Sequence, residues 1–241
     1  MAKIPDKPQD VFVDLTGDYQ KAFGKDLVSL IIYGSAAGGS YVKGKSDINL
    51  LVVLTPEVID RLEKSLAVVK QWKKRSVAVP LVMTKTFIEN SLDCYPIEFL
   101  NMKNSHILVY GEDVLAQLNF KPEDLRLQIE RELKGKLVLL RQSYLETEGS
   151  ARQLKQLISR SISTFVFIFN ALLYLKQVSV PQKKRDTIKE LARLFTFDAE
   201  VFLTCVDIKE EVDKLSGEEI ADVFKKYLRE VENICNIVDG L

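Results

Sequence analysis

The chain has 241 residues, 46% of them hydrophobic, and its 34 lysine and arginine residues are balanced by 34 aspartate and glutamate residues. This length suits one large domain or two small ones, each with its own core. A balanced charge lacks the basic excess that drives sequence-independent binding to nucleic acids, so we expect no nucleic-acid partner. Three cysteines without a CxxC pair provide neither a disulfide framework nor a zinc motif.

The sequence shows no targeting or membrane segment. Its start, MAKIPDKPQD, lacks the apolar core of a signal peptide. The longest apolar stretch, residues 162–175, is interrupted by Ser163, Thr164 and Asn170. It is shorter than the about 20 residues that a membrane-spanning helix needs. We therefore expect a buried helix in a soluble, cytoplasmic protein.

The first half of the chain alternates between strand and helix patterns. Short runs rich in valine, isoleucine and leucine predict four strands, at residues 27–33, 48–54, 77–83 and 96–102. Residues 56–75 begin with Pro56 and end in a basic cluster, which predicts a helix between the second and third strands. This alternation is typical of a mixed sheet covered by helices.

The second half shows only helical periodicity. Segments of period 3.6 begin at Pro122, Ala151 and Arg185, near Asp198, and near Ser216, where Ser216 and Glu219 fit a capping box. The overall prediction is an α+β protein. A mixed-sheet domain occupies residues 1–120 and an all-α bundle of four or five helices occupies residues 121–241, with the boundary near residues 119–124.

The most informative stretch is residues 31–54, IIYGSAAGGSYVKGKSDINLLVVL. Gly34 follows a strand and has no Cβ, so a ligand can approach the backbone, and the amides after it can hold a phosphate. Asp47 and Asn49 are two residues apart at the next strand, so they share one face. Glu98 is a lone charge in the fourth predicted strand and would face the same site if the two strands are neighbours.

This arrangement resembles the polymerase-beta-like nucleotidyltransferase superfamily. Its pattern is an apolar strand, Gly-Ser, a gap of about ten residues, an Asp-x-Asp/Glu pair and a third carboxylate on a later strand; here eleven residues separate Ser35 from Asp47. The likeness is greatest to the small antibiotic-type members, such as aminoglycoside adenylyltransferases, in which a helical bundle follows the catalytic domain.

The resemblance implies a site for a nucleoside triphosphate and Mg²⁺ or another divalent cation. Gly34 and Ser35 would contact the nucleotide phosphates, and Lys43 is a further candidate for that contact. Asp47 and Glu98 would bind the metal, and Asp47, Asn49 and Glu98 would form the catalytic set. Asn49 departs from the pattern, because the family has a second carboxylate there and an amide brings no charge to a cation.

Two functions from different classes follow. An active enzyme would transfer a nucleoside monophosphate from Mg-NTP to an acceptor hydroxyl and release pyrophosphate, with Glu98 as the base. The alternative is a catalytically degenerate protein that binds a nucleotide or a protein partner. A third possibility is an antitoxin-like protein that pairs with a partner protein. The helical bundle would bind the acceptor, a small molecule or a protein. The sequence leaves the oligomeric state open, a homodimer included.

Each candidate residue also has a structural interpretation. Asp47 is then a helix cap or loop carboxylate, Asn49 a satisfied core amide, and Glu98 the partner of Lys103. His106, the one histidine in the sequence, is predicted to lie in a solvated loop rather than to act in catalysis.

Overall fold

The computed structural model describes residues 4–212 and 214–241. The chain divides into two compact units, with the division between Phe120 and Lys121. The first unit combines a sheet with helices, and the described part of the second is built of helices. This α+β architecture confirms the predicted fold class.

The sheet of the first unit has four strands in the order β3-β2-β1-β4. The strands are β1 (Leu27–Tyr33), β2 (Asn49–Leu54), β3 (Leu81–Thr84) and β4 (His106–Gly111). β1 pairs antiparallel with β2 and β4, whereas β2 pairs parallel with β3, so the sheet is mixed as predicted.

In residues 4–120, four α-helices accompany the sheet: α1 (Phe12–Phe23), α2 (Leu66–Lys73), α3 (Lys85–Asn90) and α4 (Pro96–Asn104). Helix α1 carries buried residues at intervals of four, Leu15, Tyr19 and Phe23, and these belong to one core cluster with alternate residues of β1 and β2. The intervening strand residues Ile31, Leu51 and Val53 are also buried. Burial on both faces explains why β1 and β2 read as nearly continuous apolar runs.

The predicted strand at residues 96–102 is wrong, because this segment is helix α4. Pro96 occupies the first turn, where its missing N–H costs no hydrogen bond, and Glu98 lies in the same turn near the positive end of the helix dipole. Five of its nine residues are buried, at positions 96, 97, 99, 100 and 102. A helix buried on most sides gives a short apolar run that resembles a strand.

Two other boundaries differ from the prediction. Residues 56–75 form two 3₁₀ turns, Pro56–Val58 and Leu62–Ser65, before the regular helix α2 begins at Leu66. Leu62 and Leu66 are exposed, so no continuous apolar stripe supports a longer helix. The third strand is short because Pro80, which has no N–H, separates a single bridge at Val77 from β3.

The second unit is a bundle of five helices in its described residues, as predicted. They are α5 (Pro122–Glu146), α6 (Ala151–Leu175), α7 (Lys184–Leu194), α8 (Ala199–Glu210) and α9 (Gly217–Asp239). Helix α6 contacts the other four. The core includes edge-to-face aromatic pairs, among them Phe165–Tyr227 and Phe169–Phe202.

By length and composition α6 is apolar enough to cross a membrane, and half of its most apolar 18-residue window is buried inside the unit. Its buried residues include Ile158, Phe165 and Phe169. This burial agrees with the predicted core helix.

Candidate functional site

The predicted phosphate-binding turn lies beside the start of β2. β1 ends at Tyr33, which pairs with Asn49 in the antiparallel ladder, and the 3₁₀ turn Gly34–Ala36 follows directly. Gly34 has a φ of 73°, and a Cβ built on it would lie 3.0 Å from Nδ2 of Asn49. The structure therefore brings Gly34 and Asn49 together, and glycine is required by both the backbone angle and the space.

Hydrogen bonds within the turn, and others from Ser105 directly before β4, fix its conformation. The Gly34 N–H donates to the Ser105 carbonyl at 3.2 Å, and the Ser105 hydroxyl donates to the Gly34 carbonyl at 3.3 Å. The N–H groups of Ala37 and Gly38 both donate to that same Gly34 carbonyl. These inward-facing amides are not available to a phosphate. Within the described part of the chain, the Ser35 hydroxyl has no hydrogen-bond partner, so it remains a donor for a ligand.

Asp47 and Asn49 share one face, as expected from their spacing. Asp47 lies two residues before the start of β2 and is exposed, Asn49 is half-buried, and Ile48 between them is fully buried and bridges to Val77. Because side chains alternate along an extended chain, Asp47 and Asn49 project from the face opposite to Ile48, and the Asn49 amide lies beside the Gly34 turn.

Lys43 is held by a different partner from the predicted one. Its ammonium forms an exposed ion pair with Asp6, and the hydrogen bond from Lys43 to Asp6 raises the pKa of the lysine. The Tyr41 hydroxyl also donates to the Pro5 carbonyl at 3.1 Å. The loop before Asp47 is therefore anchored to the segment that precedes α1, and Lys43 has to leave Asp6 before it can contact a phosphate.

Glu98 does not lie on a strand beside Asp47, which corrects its predicted position. It is an exposed residue in the first turn of α4. The proposed Lys103 partner donates through its ammonium to the Leu118 carbonyl at 2.7 Å. None of the four strands contains an aspartate or glutamate. Asp47 lies two residues before β2, and Asp26, which directly precedes β1, lies at the end of the β1–β2 ladder away from Asn49.

The residues present do not fit a two-metal centre. In residues 4–212 and 214–241, no group of three or more histidine, cysteine, aspartate or glutamate side chains could hold a metal ion. One carboxylate with a neighbouring amide fits a single Mg²⁺ that also takes oxygens from nucleotide phosphates. Transfer through two metals needs paired charges at the attacking and leaving oxygens, and this face of the sheet lacks them.

Sequence reasoning missed the contribution of Ser105 and His106. His106 begins β4 opposite Tyr33, and its side chain is only 14% exposed, so the prediction of a solvated loop histidine is wrong. Its Nδ1 faces the Lys103 carbonyl at 3.0 Å, and its Nε2 lies 3.1 Å from Oδ2 of Asp113. The run HILVYG between Asn104-Ser105 and Glu112-Asp113 was a strand signal that could have revealed both residues.

Asp113 connects the start of β4 to the segment that follows this strand. Its carboxylate accepts hydrogen bonds from the N–H groups of Leu115 and Ala116 as well as contacting His106. Partial burial opposes its ionisation, but the hydrogen bond and charge of His106 and the two N–H groups together lower the pKa of Asp113. Ionised Asp113 thus stabilises β4, the strand next to the Gly34 turn.

Comparison with solved structures identifies the architecture. The chain is similar to the crystal structure of spectinomycin adenyltransferase AAD(9) from Enterococcus faecialis with ATP and spectinomycin, with a TM-score of 0.53 at 13% sequence identity. The similarity covers 92% of this chain and 98% of that one. The fold is that of a nucleotidyltransferase. The nucleotidyltransferase fold thus accounts for both the sheet and the helices that follow it. No known family pattern and no curated protein sequence matches the chain.

Proposed function

We propose that the first unit binds a nucleoside triphosphate, and that it has lost the two-metal chemistry of nucleotidyl transfer. The observation that carries the proposal is the contact of Asn49 with the Gly34 turn. An amide stands where the resembling family has its second carboxylate, and no strand residue supplies a replacement charge.

The remaining polar groups are better suited to binding a nucleotide than to catalysing nucleotidyl transfer. The Ser35 hydroxyl and the Asn49 amide N–H can donate to phosphate oxygens, and neither repels them. Asp47 provides one anionic ligand for a magnesium ion that the nucleotide brings with it. The similar solved structure holds ATP, so ATP is the first nucleotide to test. We assign the protein to the cytoplasm and its acceptor or partner to the helical unit.

The competing function is transfer of a nucleoside monophosphate to an acceptor hydroxyl. That reaction forms a bond from the acceptor oxygen to the α-phosphorus, breaks the bond to pyrophosphate and passes the hydroxyl proton to a base. Glu98 was the predicted base, but its place in the first turn of α4 removes the support for that role. Pyrophosphate release is therefore an outcome that would contradict the proposal.

The first experiment measures thermal unfolding and calorimetric binding with ATP, GTP, CTP and UTP, each with and without Mg²⁺. A ligand at 100 times its Kd should stabilise the protein by about 2.7 kcal/mol. We expect a Mg²⁺-dependent stabilisation that is lost in Asp47→Ala and kept in Asp60→Ala, which removes another exposed carboxylate of the same unit. An unfolding temperature that no nucleotide changes would overturn the proposal, as would pyrophosphate release by the wild-type protein.

A second variant tests the role of Asn49 itself. Asn49→Asp has nearly the same shape, so the contact with Gly34 is preserved while a negative charge is added. Because Mg²⁺ prefers carboxylate oxygens, we expect its affinity to rise by at least about tenfold. Asn49→Leu is the matched control, since it removes the amide without adding charge. Equal Mg²⁺ affinity in Asn49→Asp and the wild type would show that this position does not face a cation.

A further inference from the structure

The helical unit contains a cavity of about 690 Å³ among the start of α6, the end of α8 and the start of α9. Its volume falls within the range of roughly 300–1,000 Å³ that small-molecule sites occupy. All of its described lining residues lie between Ala151 and Ile220, within one unit. The cavity is thus separate in sequence and structure from the Gly34 turn.

Positive charge dominates the lining. Four cationic side chains, those of Arg152, Lys155, Arg160 and Lys209, face one carboxylate, that of Glu211, among the described lining residues. Arg152 and Arg160 are eight residues apart on α6, so they project from the same side of the helix. Neither arginine forms an ion pair with a residue that the structure describes. Their positive charge is available to an anion.

Two partly buried lysines extend this positive region along α6. The Lys209 ammonium donates to the Ser159 carbonyl at 3.0 Å, and the Lys184 ammonium donates to the Ser163 hydroxyl at 3.2 Å, one helical turn further on. Burial lowers the pKa of both lysines, and the charge of Lys184 lowers that of Lys209 further.

The Ser159 carbonyl and the Ser163 hydroxyl are neutral, so they do not offset the positive charges of Lys209 and Lys184. The Glu210 carboxylate favours the charged form of Lys184, but it is engaged by Arg185 at 2.6 Å. Two ammonium groups that repel each other in a partly dehydrated place are costly unless an anion offsets them. A bound anion in the adjoining cavity would remove that cost.

The start of α6 adds to the same preference. Ser150 is its N-cap, but the Ser150 side chain accepts no capping hydrogen bond, so the first amides of α6 lack the usual side-chain acceptor. Ala151 and Arg152, in this first turn, line the cavity. The start of the helix therefore adds to the positive potential of the cationic lining.

We propose that this cavity binds a small molecule that carries a diphosphate or triphosphate group. The arginines and Lys209 contact the phosphates. A single phosphate would leave most of the volume and two of the cationic groups unused. The proposal does not depend on nucleotide binding at the Gly34 turn.

The test is calorimetry on the full-length protein with inorganic phosphate, pyrophosphate, triphosphate and ATP as probes. We expect triphosphate to bind more tightly than phosphate, and its affinity to fall at least about tenfold in the double variant Arg152→Gln/Arg160→Gln. Arg229→Gln, which removes an exposed arginine of α9 outside the cavity, is the matched control and should bind like the wild type.

Two results would overturn the proposal. One is that the wild type does not bind triphosphate, and the other is that the double variant binds it as tightly as the wild type. Both replaced arginines are exposed, so the double variant should fold, and circular dichroism verifies this.

Discussion

Gly111 ends β4 at a point where no side chain fits. Its φ is 82°, and a Cβ there would lie 1.9 Å from the Val28 carbonyl oxygen, which belongs to the neighbouring strand. Because the added Cβ would clash with a backbone atom of the paired strand, which cannot rotate away as a side chain can, Gly111→Ala should lower the free energy of unfolding by more than about 2 kcal/mol. Gly44→Ala is the control: Gly44 has a φ of 77° with no atom within 4 Å of the added Cβ, so only about 1–2 kcal/mol of backbone strain applies. Urea unfolding of both variants measures the difference, and equal losses would contradict the clash.

Asp113 gives the stability of the first unit a pH dependence. Its pKa is lower in the folded chain than its ordinary value, so it contributes stability above the pKa of the unfolded chain, about 3.9. That contribution is lost as the pH falls through the lower pKa of the folded chain, because protonation removes the negative charge of Asp113 that contacts His106. We expect Asp113→Asn to be less stable than the wild type near pH 6, with the difference shrinking below about pH 4. Thermal unfolding from pH 3 to pH 7 checks this, and a constant difference would exclude the carboxylate as the cause.

At the scale of elements, local signals predicted the structure wherever one physical cause dominated. Pro122 opens α5, and the Ser216–Glu219 pair opens α9, because capping and the missing proline N–H act within a few residues. The turn after β1 lies beside the start of β2 because Tyr33 pairs with Asn49 in the antiparallel ladder. Segment 96–102 was misread because its apolar residues are set by tertiary burial on several sides of α4, which leaves no period to recognise. Glu98 was therefore assigned to the wrong place, whereas Gly34 and Asn49 were not.

The cap of α9 can be tested directly. The Ser216 hydroxyl accepts from the Glu219 N–H, and the Glu219 carboxylate accepts from the Ser216 N–H at 2.7 Å. The two Ser216 contacts lower the pKa of Glu219, which agrees with a carboxylate held in its charged form. Ser216→Ala removes one of the two bonds and should cost about 1 kcal/mol. Ser216→Thr keeps the hydroxyl and serves as the control. An unchanged unfolding temperature in Ser216→Ala would show that this end of α9 is already frayed.

At the scale of the whole molecule, the change of periodicity near Pro122 coincides with the division between the two units. Each unit has its own buried residues: β1 and β2 supply those of the first, and α6 is central to the second. A sequence that changes from strands to uninterrupted amphipathic helices indicates two separate cores, since the two kinds of element bury different faces. The predicted domains, residues 1–120 and 121–241, follow from this reasoning, and we propose that each is an independently folding domain.

Independent folding leads to a prediction for residues 121–241 expressed alone. Four described helices pack around α6, and Phe165, Phe202 and Tyr227 are buried among them, which gives a core of the size that supports folding without a partner domain. We expect this fragment to show a helical circular dichroism spectrum and one cooperative thermal transition. Tyr227→Ala in the same fragment removes a fully buried ring and should cost roughly 3–5 kcal/mol, which lowers or abolishes the transition. A fragment that is helical but melts without a transition would show that its core needs the first unit, and the two predicted domains would then be one folding unit.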